Sequence, residues 1–146
     1  MRVSLISALA GFVLAFVPVT GEAPALAGDT PAPKDAYLYI GWPNDGEIVR
    51  NRRFRVWFGL RNFGVAPSGI KKKNTGHHHL IIDAPLPPFD EEIPADKNHL
   101  HFGAGQSEAI IELAPGKHTL QLIMGDHDHV PHNPPIISKK ITITVR

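Results

Sequence analysis

The 146-residue chain contains no cysteine, which excludes a disulfide framework, thiolate metal centres and cysteine nucleophiles together. It also lacks a charge excess. Fifteen Lys and Arg stand against fourteen Asp and Glu, a formal net charge of +1, so nucleic acid, which selects a clear basic excess, is not expected as a partner. Within that balance the clusters Arg50, Arg52, Arg53, Arg55 and Lys71-Lys72-Lys73 read as solvated edge and turn charges. The zinc-protease pattern His-Glu-x-x-His does not occur, and Ser68, Ser107 and Ser138 lack a nucleophile elbow. Asp90, Glu91 and Glu92 read as a solvated loop rather than an acid pair. These absences weigh against an enzyme.

Apolar runs are short everywhere except at the start. Arg2 supplies a positive charge, Val3 to Val19 is apolar but for Ser4, Ser7, Gly11 and Pro18, and Ala25-Leu26-Ala27 forms a small-x-small site, the pattern of a secretory signal peptide over residues 1–27. A membrane anchor is disfavoured, because the run is near the lower limit for a span and Pro18 interrupts it. Cleavage after Ala27 leaves 146 − 27 = 119 residues, enough for one domain with its own core. The expected product is soluble, in a periplasm or outside the cell, with no membrane insertion after cleavage. Gly28 to Lys34 is polar and proline-rich, which predicts a flexible tether over residues 28–35 ahead of a single domain at 36–146.

Period-two alternation dominates that domain. Leu38, Ile40 and Trp42 alternate with Tyr37, Tyr39 and Gly41; Phe54, Val56, Phe58 and Leu60 alternate with Arg55, Trp57 and Gly59. Pro43-Asn44-Asp45-Gly46 predicts a turn into a short strand at 47–50, and Gly64 to Thr75 a loop. The strand Gly76 to Asp83 follows. Pro85, Pro87, Pro88 and Pro94 predict an extended segment from Ala84 to Asn98, either a functional loop or a crossover between sheets. After the short strand His99 to Phe102, the runs Glu108 to Leu113 and Lys117 to Met124 predict a hairpin turned at Pro115-Gly116, and Ile141, Ile143 and Val145 a last strand. With 7–8 short strands, about eight in this count, and no helical period, the fold class is all-β, an immunoglobulin-like β-sandwich.

The chemistry concentrates in nine histidines, none before residue 77. Alternation places His78 with Leu80 and Ile82 toward the core, and sends His77 and His79 to the outer face or rim. His99 and His101 likewise project together, opposite Leu100 and Phe102. His127, His129 and His132 share a loop with Asp126 and Asp128. Three His-x-His pairs in one region favour a metal site over packing, and loops gathered at one end of a sandwich allow convergence. The expected ligands are His77, His79, His99, His101, His127, His129, His132 and Asp126. His78 and His118 read as hydrogen-bonded core histidines. A nitrogen and oxygen set without thiolate suits copper(II), zinc or nickel, and copper is favoured because such sets bind it most tightly.

Several of these stretches together resemble a known family. They are Asn74-Thr75-Gly76-His77-His78-His79-Leu80-Ile81-Ile82-Asp83, Leu100-His101-Phe102-Gly103 with Gly105-Gln106, Pro115-Gly116-Lys117-His118-Thr119-Leu120-Gln121-Leu122, and Gly125-Asp126-His127 with Pro131-His132 and Pro134-Pro135. The chain is similar over residues 36–146 to the small exported bacterial domain-of-unknown-function family 4399. That resemblance implies a secreted β domain and assigns no catalytic residue. In outline the fold is also similar to copper-handling periplasmic sandwiches and copper-zinc superoxide dismutase, an analogy of fold alone. The expected function is sequestration or delivery of a divalent metal, copper or zinc, with a periplasmic protein as a further partner. Two alternatives stand beside it: an envelope interaction domain without metal, and a mononuclear metal oxidoreductase.

Overall fold

Alternating apolar residues need a second surface to bury against, and here two sheets supply it to each other. The computed structural model describes residues 28–146; the expected signal peptide lies outside the described residues. Nine strands follow in order among the described residues: β1 (Tyr37–Trp42), β2 (Ile48–Val49), β3 (Arg53–Arg61), β4 (Gly64–Val65), β5 (Thr75–Ile82), β6 (His99–Phe102), β7 (Glu108–Glu112), β8 (Gly116–Gly125) and β9 (Ile141–Val145). β1, β3 and β7 form one sheet in the order β1-β3-β7. The second runs β2-β9-β8-β5-β4, with β6 also paired to β5. Among the described residues there is no helix long and apolar enough to cross a membrane.

The inward residues are those that alternation selects. Leu38, Phe54, Val56, Phe58 and Ile111 from the small sheet meet Leu80, Ile82, Phe102, Leu120, Leu122, Met124, Ile143 and Val145 from the large one in a single buried cluster. Fully burying such side chains stabilises the fold by roughly 1.5–3 kcal/mol each. The two-layer sandwich of short strands expected from the sequence is the observed fold.

Four local expectations change. β7 and β8 do not pair as a hairpin: β7 lies against β3, with Ile111 opposite Phe54, and β8 against β5, with Leu120 opposite Ile82. The connection at Ala114-Pro115 carries the chain from one sheet to the other. Both strands have an apolar side, and periodicity does not say which sheet each joins. The loop expected from 64 to 75 begins with β4, which runs parallel to the start of β5. The segment expected to be a tether is docked, because Ala32 N–H donates to the Asn133 carbonyl and Asn133 N–H to the Thr30 carbonyl.

The fourth change positions the site. Ala84 to Asn98 is not a crossover between sheets, since β5 and β6 are antiparallel neighbours in one sheet. It folds back over that sheet's outer face, where Leu86, Phe89 and Ile93 pack on Ile81, Ile123 and Ile137 in a second apolar cluster. Ile93 N–H then donates to the His129 carbonyl, joining this cover to the turn after β8.

Candidate metal centre

Consecutive His-x-His residues on a strand leave on the same side, and here that side is the covered outer face of the large sheet. His79 pairs across β5–β6 with His101 and across β5–β8 with Ile123. His77 pairs with Gly125. His129 arrives from above, on the turn that follows β8. The four rings of His77, His79, His101 and His129 gather with centroid separations from 4.8 Å (His101 to His129) to 6.1 Å (His79 to His129). One nitrogen from each of His77, His101 and His129 lies within 4.8 Å of the other two. His79 Nε2 is 3.0 Å from His77 Nε2.

Glycine makes room for this packing. A Cβ at Gly125 would lie 2.9 Å from His79 Nε2 and 3.3 Å from His129 Cα, and one at Gly103 would overlap the His101 ring. Neither glycine reads as part of a site from sequence, where both mark only the end of a strand. The spacing that exposes them is cross-strand register, with Gly125 directly opposite His77.

The turn carrying His129 is built by Asp126. Its Oδ1 accepts from the backbone N–H of Asp128 and Val130, its Oδ2 accepts from the Thr30 hydroxyl, and its carbonyl accepts from His129 N–H. His129 takes a left-handed backbone, φ 67°, a conformation that costs a non-glycine residue energy and is held by those bonds. Thr30 is thus a supporting residue that the sequence, read as a tether there, does not reveal.

Burial sets the electrostatics. His77 and His79 are fully buried, His129 is half-buried and His101 is exposed, so the cluster is closed beneath and open at one side. Burial, then the neighbouring His101 and His129, lowers the His77 pKa to about 4. Burial and the neighbouring imidazoles lower that of His79 to about 2. Burial followed by His129 also lowers that of His101. The rings of His77, His79 and His101 are therefore held toward the neutral form, the one that ligates a metal. Among the described residues the Nδ1 atoms of His77 and His79 are buried without a hydrogen-bond partner, which is costly in a purely structural role.

The other four expected ligands are elsewhere. His99 Nδ1 bonds Asp96 at 3.0 Å. His127 turns away from the cluster toward Asp128, Nε2 to carboxylate 3.1 Å, because adjacent odd positions in a tight turn do not share a side as they do on a strand. His132 is buried with Nε2 donating to the Thr75 carbonyl at 3.2 Å and its ring edge-on to Phe63. Asp126 shapes the turn. Of the two expected core histidines, His78 is buried beside Phe58, with Nδ1 donating to the Gln106 carbonyl at 2.9 Å. His118 sits instead at the sandwich margin, bonded to Asp83 and to the Ala114 carbonyl.

A search of curated proteins and a search of solved structures each found no match. The family model described as "Domain of unknown function (DUF4399)" matches residues 56–146, a span that holds β5, β6, β8 and every histidine of the cluster. By that match, which covers more than half its length, the chain belongs to the DUF4399 family.

Proposed function

We propose that this protein binds one divalent transition-metal ion at the His77, His79, His101 and His129 cluster, and that it sequesters or delivers that ion in a periplasm or outside the cell. The observation that carries this is the convergence of four imidazoles, of which His77 and His79 each keep a buried Nδ1 with no hydrogen-bond partner among the described residues. His78 Nε2 and His132 Nδ1, outside the cluster, are unpartnered as well, so it is the gathering of four rings, and not an unpartnered nitrogen alone, that points to an ion. A bound ion takes a lone pair that the protein leaves unused.

The donor set favours copper(II), with zinc second. Three or four imidazoles with no thiolate suit both ions, and in the divalent series copper binds such sets most tightly. His77 and His101 stand on paired strands and are ordered before the ion arrives, which lowers the entropic cost of binding. Export is supported by the leader-like pattern of residues 1–27.

The test uses protein purified without a polyhistidine tag. Calorimetric titration with Cu(II) and Zn(II) should give one site with a Kd well below micromolar, and His77→Phe with His101→Ala should weaken it by at least a hundredfold. Equal affinity in wild type and double variant would sink the proposal.

A further inference from the structure

His79 stands apart from the other three histidines in two ways. Its ring centre is 6.1 Å from that of His129, the longest separation in the cluster. Its Nε2 also meets His77 Nε2 at hydrogen-bond distance, 3.0 Å, and sits against the β8 backbone at Gly125. His77, His101 and His129 by contrast offer three nitrogens within 4.8 Å of one another.

That contact between two imidazoles requires one N–H and one lone pair. If His77 Nε2–H donates to His79 Nε2, the lone pair of His77 Nδ1, which no group among the described residues bonds, is left for an ion. Such an arrangement is the usual one for a ligating histidine, whose second nitrogen donates to an acceptor that fixes the ring.

Among the described residues no carboxylate joins the three nitrogens. Asp126, whose charge acts on His77, already accepts from Thr30, Asp128 and Val130. Three imidazoles bring no negative charge of their own to a divalent ion, and the side toward exposed His101 and half-buried His129 is open to solvent. An ion with three protein ligands and an open position takes water, hydroxide or another small anion there.

We infer that an ion at this site is held by His77, His101 and His129, that His79 positions His77 from outside the coordination sphere, and that a fourth position binds small anions from solvent. The inference rests on the metal-binding proposal above. It makes the site one of ligand exchange rather than closed storage, with water leaving as the anion enters and no change in the oxidation state of the metal.

The experiment is an azide titration of the untagged protein loaded with one equivalent of Cu(II), followed by absorption and electron paramagnetic resonance. The expected result is a charge-transfer band that saturates at one azide per copper, on a signal with hyperfine coupling to three protein nitrogens before azide is added. His79→Phe should keep the three-nitrogen signal and the azide band while weakening copper binding about tenfold. His79→Gln, which restores an acceptor for His77, should recover most of that loss.

Copper bound with no response to azide overturns the inference, as does a four-nitrogen signal that falls to three in His79→Phe; either leaves metal binding itself intact. A wild-type chain that takes up neither Cu(II) nor Zn(II) overturns both. The wild-type titration decides the matter if the variants fold poorly.

Discussion

At His118 both ring nitrogens face acceptors: Nδ1 lies 2.6 Å from the Asp83 carboxylate and Nε2 2.8 Å from the Ala114 carbonyl. Only the imidazolium can donate at both. Burial works against the charge, but the hydrogen bonds to Asp83 and Ala114 and the charge of Asp83 together raise the pKa above the ordinary histidine value. A raised pKa contributes stability that is complete below the unfolded value of about 6.5 and is lost as pH rises through the folded value. His118→Gln should therefore destabilise the protein more at pH 6 than at pH 9 in urea unfolding, and an equal effect at both would exclude the charged ring. The acid Asp83 responds oppositely. Its pKa is raised by burial but lowered more by His118 and Thr119, so its contribution persists until the carboxylate range is reached. The pair belongs to the margin of the sandwich, where alternation alone places a core histidine.

At the scale of elements, the candidate site is a junction of β5, β6, the turn after β8 and the segment at 28–33. The two strand contributions were legible in the sequence, because period two puts His77 with His79 and His99 with His101 on the same side. Convergence was legible only in part. Register decides that His101, opposite His79, reaches the cluster, whereas His99, opposite Ile81, does not. Nothing in local pattern fixes a register between strands separated by a 16-residue connection (83–98). The docked N-terminal segment was hidden for a related reason: Gly-Asp-Thr-Pro has the composition of a linker, and its order comes from Asp126 and Asn133, about a hundred residues away. Thr30→Val should free one side of the Asp126 carboxylate, loosen the turn that holds His129 and weaken metal binding roughly 10- to 100-fold. Thr30→Ser, which keeps the hydroxyl, should stay near wild type in the same titration. If Thr30→Val binds metal normally, the segment is packing and not support.

The whole molecule keeps several imidazoles neutral by burying them, and acid should act on all of them together. Burial lowers the His78 pKa to about 4, only partly countered by its bond to the Gln106 carbonyl. His77 and His79 lie at about 4 and about 2, and burial lowers that of His132 as well. Each is easier to protonate unfolded than folded. Their contribution is complete above the unfolded value of about 6.5 and declines as pH falls toward the folded values. For His78, buried in the core, that is on the order of 2–3 kcal/mol lost by pH 4. His118 opposes this only above the unfolded value of about 6.5, where its contribution begins to be lost as pH rises, and Asp83, Asp96 and Asp126, all lowered, lose theirs only at still lower pH. Metal-free protein should thus unfold at lower urea concentration at pH 4.5 than at pH 7.5. A bound ion competes with the same protons, so stoichiometric Cu(II) or Zn(II) should raise the Tm at pH 7.5, where the gain follows RT ln(1 + [L]/Kd), and should raise it little at pH 4.5. Flat metal-free stability across that range would mean that these rings are hydrated well enough to carry charge, and the neutral ligand set would lose its physical basis.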